Sequence, residues 1–187
     1  KTNQRIARNV GLKFQQLRYL CKHLDPFVLS NFDYKISNTN DLLQDTTHTP
    51  IERVEFALKK FGRLSDSEIV TPAFVADKVV QLLPIDAMEN DAKVLDIASK
   101  QGEFACALYK YFGEDKRNNI YALPTSSLTY EFTYKVFQLL DIPTSNIFST
   151  FNSYDLIGDN NEQYIQILEN MKFNAIVGNP PYQMRVD

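Results

Sequence analysis

The chain has 187 residues, a net charge of −3, 44% apolar residues and 12% aromatic ones, which suffices for a packed core and excludes a disordered chain. No stretch is long and apolar enough to span a bilayer, and no basic segment leads into an apolar one, so a membrane span and a secretory signal are excluded and the chain reads as cytoplasmic. Cys21 and Cys106 lie far apart without CxxC spacing, and with two histidines in all neither a zinc site nor a disulfide framework is expected.

In chain order, Ile6, Val10, Leu17, Leu20 and Leu24 recur near the helical period among basic residues, which predicts a helix over residues 1–24. Lys1, Arg5, Arg8, Lys13, Arg18 and Lys22 all precede the first acid, Asp25. Such a face is either solvated or tracks phosphates, and the overall negative charge argues against a self-sufficient DNA binder. Asn38 to Pro50 is rich in turn formers and reads as short pieces and loop. Thr49 caps a helix begun by Pro50, with Val54, Phe56, Ala57, Leu58 and Phe61 apolar before Gly62 stops it. Residues 1–65 thus form a helical extension.

The second region, 66–187, alternates elements. Thr71-Pro72 opens a helix with Phe74, Val75, Val79, Val80, Leu82 and Leu83 on its buried side, ending at Pro84. Apolar runs at Lys93–Ile97, Asn119–Leu123 and Phe173–Val177 read as buried parallel strands, with a weaker strand at Asn146–Thr150. Helices are expected at Glu103–Phe112, Ser127–Leu140 and Asn161–Met171. The alternation implies an α/β fold with a doubly wound, mainly parallel sheet, whose ligands sit beyond the carboxyl ends of its strands.

Two strand ends carry chemistry. Asp96-Ile-Ala98-Ser-Lys-Gln-Gly102-Glu-Phe104 places an acid at a strand end and a glycine at the next helix start, which permits close backbone approach to a ligand. Gly178-Asn179-Pro180-Pro181-Tyr182 is sharper, because two prolines directly after a strand forbid both further pairing and an immediate helix. They set Asn179 and Tyr182 on a stiff turn at the carboxyl edge of the sheet.

Asn-Pro-Pro-Tyr downstream of the Asp-x-Ala-x-x-x-Gly-x-Phe loop resembles the amino-methyltransferase family of DNA methyltransferases, over roughly residues 68–187. Thr71-Pro72 with its helix resembles the family's element before the cofactor loop, and Asn152-Ser-Tyr-Asp155 its third cofactor motif. The order of helix, cofactor loop and catalytic motif is that of the gamma class. Val54–Gly62 and Ile120–Ser126 are similar to segments of the large methylase polypeptides of restriction-modification systems.

The resemblance implies a Rossmann-like fold, S-adenosylmethionine as cofactor and methylation of adenine in double-stranded DNA, without a metal. It implies catalytic roles for Asn179, Pro180 and Tyr182: the Asn179 side chain and Pro180 carbonyl accept the amino hydrogens of a flipped-out base, and Tyr182 stacks on it. It places Thr71, Asp96, Ala98, Gly102 and Asn179 near the cofactor and Asp155 at its adenine amino group. Where the family carries an acid for both ribose hydroxyls, this chain has Pro124, followed by Thr125 and Ser126. Ser99-Lys100-Gln101 replaces the glycine-rich loop and brings a cation near a sulfonium.

Nuclease, helicase or recognition domains of one polypeptide are the partners the resemblance implies, and no membrane partner is expected. A chain from Lys1 to Asp187 without an initiating Met looks cut from a longer protein, which leaves the sheet incomplete and this piece inactive and prone to self-association. Two other readings stay open: a protein-glutamine or RNA methyltransferase, and a non-catalytic module that contacts DNA or protein.

Overall fold

The structure is a computed structural model that describes residues 22, 30, 34, 37–38, 41–42, 44–60, 69–159 and 161–180. The basic segment before Asp25, apart from Lys22, and the motif residues Pro181 and Tyr182 lie outside the described residues. Two compact units divide the chain, Lys1–Phe61 and Gly62–Asp187.

In the first unit, α1 (Pro50–Lys60) starts where the sequence places it. The Thr49 hydroxyl accepts from the Glu52 N–H, and the Glu52 carboxylate accepts from the Thr49 N–H at 2.8 Å, so two of the helix's orphan donors are satisfied reciprocally. Val54, Ala57 and Leu58 form its buried stripe. Tyr34, Ser37, Asn38, Asp41, Leu42 and Gln44 have helical backbone, which replaces part of the loop expected there.

The second unit is α/β. In chain order it has α2 (Ala73–Val80), β1 (Val94–Ser99), α3 (Glu103–Phe112), β2 (Ile120–Pro124), α4 (Ser127–Leu139), α5 (Glu162–Met171) and β3 (Ala175–Val177). Among the described residues the sheet has three strands in the order β2-β1-β3, all parallel. Val94 sits opposite Ile120 on one side and Ala175 on the other, so the three strands start level; β1 and β2 run on to Ser99 and Pro124, which pair, and β3 stops at Val177, opposite Asp96. Parallel neighbours require crossovers: α3 connects β1 to β2, and α4 and α5 lie in the connection from β2 to β3, with α3 and α4 packing on β1 and β2. On the opposite face Leu95, Leu123 and Phe151 form a core against which Tyr164 and Leu168 of α5 pack. Helices on both faces explain why β1 reads as a nearly continuous apolar run.

Two expectations change. Asn146–Thr150 is not a strand: Thr144–Asn146 is a 3-10 turn after Pro143, and Ile147 makes a single bridge to Ala122. The Asn146 side-chain amide donates to the carbonyls of Asn118 and Ile120 at 3.0 Å each, and the Phe148 N–H donates to the Ala122 carbonyl at 3.0 Å. The second correction concerns α2, which stops at Val80 and leaves Leu82 on a following turn, 83% exposed. Phe74 is exposed as well, and the buried positions of the helix are Ala76 and Val80. No helix among the described residues is long and apolar enough to cross a membrane.

Candidate functional site

Because the strands are parallel neighbours, their carboxyl ends and the loops beyond them gather on one edge of the sheet. β1 runs out into Ser99, Lys100 and Gln101, all buried, and Gly102 then starts α3 with φ +76°. A Cβ at Gly102 would lie 3.0 Å from Val136 of α4, so backbone conformation and helix contact within the fold both require the glycine. Gly178 follows β3 with φ +154°, and a Cβ there would press on Ile97 and the Ala98 N–H.

That close approach brings Asn179 against the β1 loop. The Lys100 ammonium donates to the Asn179 carbonyl at 2.7 Å, and the Asn179 side-chain amide donates to the Thr71 hydroxyl at 3.2 Å. Glu103, 2% exposed, in turn accepts from the Thr71 N–H at 3.3 Å and from the Gln101 N–H at 2.9 Å. Thr71 therefore touches the asparagine of the Asn-Pro-Pro-Tyr motif. Lys100, 1% exposed, is committed to that turn instead of standing as a bare cation in the loop.

Asp96 is fully buried on β1, and its Oδ2 has no hydrogen-bond partner. Its other oxygen accepts from the Ala98 N–H at 3.4 Å. Burial, helped by the neighbouring Glu103 charge and opposed by Ser99, Ala98 and Lys100, pushes its pKa up to about 8, so the group is largely neutral at pH 7.

Two pockets flank the 3-10 turn Ser153–Leu156. The first, about 320 Å³, lies between the start of α4 and the segment 148–152; Pro124, Ser126, Glu131, Phe151, Asn152 and Asp155 line it. The second, about 250 Å³, is more apolar and is lined by Ile97, Ala98, Ser153, Tyr154, Leu156, Ile157 and Pro180. Ser153 holds the dividing turn to the strand ends, its hydroxyl donating to the Ile97 carbonyl at 2.6 Å with those of Leu123 and Pro124 at 3.2 and 3.3 Å. The Asp155 Oδ2 accepts from the Asn152 N–H at 2.8 Å, closing a capping box within the turn.

Of the residues singled out from sequence, Pro124 and Asp155 share the first pocket, Ala98 and Pro180 share the second, and Thr71 and Asn179 meet beside the β1 loop. Thr125 turns inward: it is 2% exposed and its hydroxyl donates to Thr129 at 3.1 Å, which leaves Ser126 and Ser127 on the cleft side. Lys100, Glu103, Glu131 and Ser153 did not stand out as site residues in the sequence. Ser153 had a signal in the Asn152-Ser-Tyr-Asp155 motif, whereas the contacts of Lys100 and Glu103 depend on which strands are neighbours.

The N-6 DNA Methylase family model matches residues 52–186, well over half of the chain. The match begins within α1, upstream of residue 68 where the sequence resemblance starts. Comparison with curated proteins and with solved structures finds no significant match. With the parallel sheet, its strand-end pockets and the Asn179-Pro180 turn, the match establishes that the chain belongs to the N-6 DNA methylase family.

Proposed function

We propose that this chain carries the cofactor site and catalytic motif of an S-adenosylmethionine-dependent enzyme that methylates the exocyclic amino group of adenine in double-stranded DNA, within a restriction-modification system. The observation that carries the reading is Asn179, fixed at its backbone by Lys100 and at its side chain by Thr71, on the same strand-end edge as both pockets.

The residues present fit the cofactor. A pocket of about 320 Å³ is within the size range of small-molecule sites, and this one combines aromatic walls with carboxylate acceptors. Asp155 would accept from the adenine amino group, with Pro124 and Phe151 against the adenosine. When bound, S-adenosylmethionine supplies an electrophilic sulfonium methyl.

The protein's task is then to make a poor nucleophile attack, because the adenine amino lone pair is delocalised into the ring. Acceptors at both amino hydrogens localise that pair as the nitrogen becomes tetrahedral. Thr71 holds the Asn179 amide by its nitrogen, which assigns the accepting role to Oδ1. The Pro180 carbonyl is the second acceptor, and Pro180 also lines the more apolar pocket, a wall suited to a flipped base. Tyr182 stacks on the base. Double-stranded DNA is the partner, along with recognition, nuclease or helicase domains of the same polypeptide.

Calorimetric titration of the chain with S-adenosylmethionine tests the cofactor half, and a micromolar dissociation constant is expected. No binding at millimolar cofactor would favour the non-catalytic reading. The substrate half is tested by nucleoside mass spectrometry of DNA treated with a polypeptide that joins these residues to a target-recognition domain. N6-methyladenine is expected, and N4-methylcytosine or an unmodified product would overturn it.

A further inference from the structure

Pro124 ends β2, where the family resemblance places a carboxylate for the ribose hydroxyls, and a proline side chain accepts no hydrogen bond. The first pocket nevertheless contains two acids among its described lining residues, Asp155 and Glu131. Asp155 lies on the far side of the cleft in the Ser153–Leu156 turn and already uses one oxygen to cap that turn. Glu131 lies on α4, on the stripe it shares with Ser127 and Tyr130, and faces the same cavity as Pro124.

We propose that Glu131 supplies the carboxylate missing from the end of β2, accepting hydrogen bonds from the ribose hydroxyls of the nucleoside cofactor. The inference rests on the cofactor reading above and adds the residue that selects for a ribose. Moving the acid from the strand end to the following helix keeps it on the same wall of the cleft. The environment of Glu131 agrees with this role: partial burial raises its pKa, against the opposing pull of Lys135, so the carboxylate is partly desolvated on the cavity wall. Two hydroxyl donors in the cleft would offset that desolvation. The Lys135 charge, one helical turn on, acts on Glu131 at a distance and does not account for its place on the cavity wall.

The test is calorimetry on the chain with S-adenosylhomocysteine and with its 2′,3′-dideoxy analogue. For Glu131→Gln, S-adenosylhomocysteine should bind at least fivefold more weakly than to wild type. The dideoxy analogue should bind both proteins equally, which also shows that the variant is folded. Equal affinity of wild type and variant for S-adenosylhomocysteine, or an equal penalty with both ligands, would overturn the role of Glu131. Failure of wild type to bind S-adenosylhomocysteine would instead overturn the cofactor reading on which it rests.

Discussion

Asn179 is gripped at both its carbonyl and its side-chain nitrogen, so its contribution can be separated from cofactor binding. Asn179→Ala should lower methyl transfer by roughly two orders of magnitude or more, the usual cost of losing one preorganised transition-state hydrogen-bond partner, with S-adenosylmethionine affinity nearly unchanged. Tritium-methyl transfer and calorimetry on the same preparation, in a polypeptide with a target-recognition domain, measure the two; a loss under tenfold would remove the assigned role. Asp155 serves its own turn as well as facing the cleft, so two substitutions are needed. Asp155→Asn keeps an oxygen for the Asn152 N–H and should weaken the cofactor by about 1.5–3 kcal/mol through loss of the charged acceptor. Asp155→Ala should weaken it further and lower Tm, because the capping box is lost too; calorimetry and thermal melts distinguish the two effects.

Asp96 makes a prediction in pH. Its pKa rises from 3.8 to about 8 on folding, so the native state holds the proton more tightly than the unfolded state does. Its contribution to stability therefore declines as pH rises from about 4 to about 8 and levels off above. Asp96→Asn, which cannot ionise, should flatten the dependence of Tm on pH in that window. Parallel wild-type and variant curves would mean that Asp96 is not the group responsible.

At the scale of elements, the junction of β1 with α3 is constrained twice at Gly102. Its φ of +76° disfavours any side chain, and Val136 of α4 fills the space a Cβ would need. Gly102→Ala should destabilise by about 1–3 kcal/mol and lower Tm. Adding Val136→Ala to Gly102→Ala should recover the steric part and leave the backbone part, which a double-mutant cycle resolves. The Ser153–Leu156 turn depends on Ser153 in a similar way, because one hydroxyl joins it to the ends of β1 and β2 and so sets the wall between the pockets.

Across the whole molecule, the described residues leave the outer edge of β3 without a strand partner, and Ile176 on it is 55% exposed. Beside it Ile165, Leu168, Phe173 and Leu156 line an apolar groove of about 430 Å³. An unprotected apolar edge invites pairing with another chain, so light scattering at micromolar concentration should find association that Ile176→Lys reduces. A wild-type chain that remains monomeric would contradict this.

The positions of β1, β2 and β3 and the start of α1 were legible in the sequence, because apolar runs and capping pairs act over a few residues. The candidate cofactor pocket was legible in part, through Pro124 and Asp155. Only the tertiary structure showed that the Asn146 side chain serves two carbonyls, that the segment after it makes a single bridge to β2, and that Phe74 and Leu82 face outward. The Lys100–Asn179 bond spans 79 positions and the Ser153–Ile97 bond 56, and both exist because β1 lies at the centre of the sheet. Residue type and local period are carried by neighbours in the chain, whereas which side chains meet across the strand ends is decided by strand order, to which no short stretch of sequence has access.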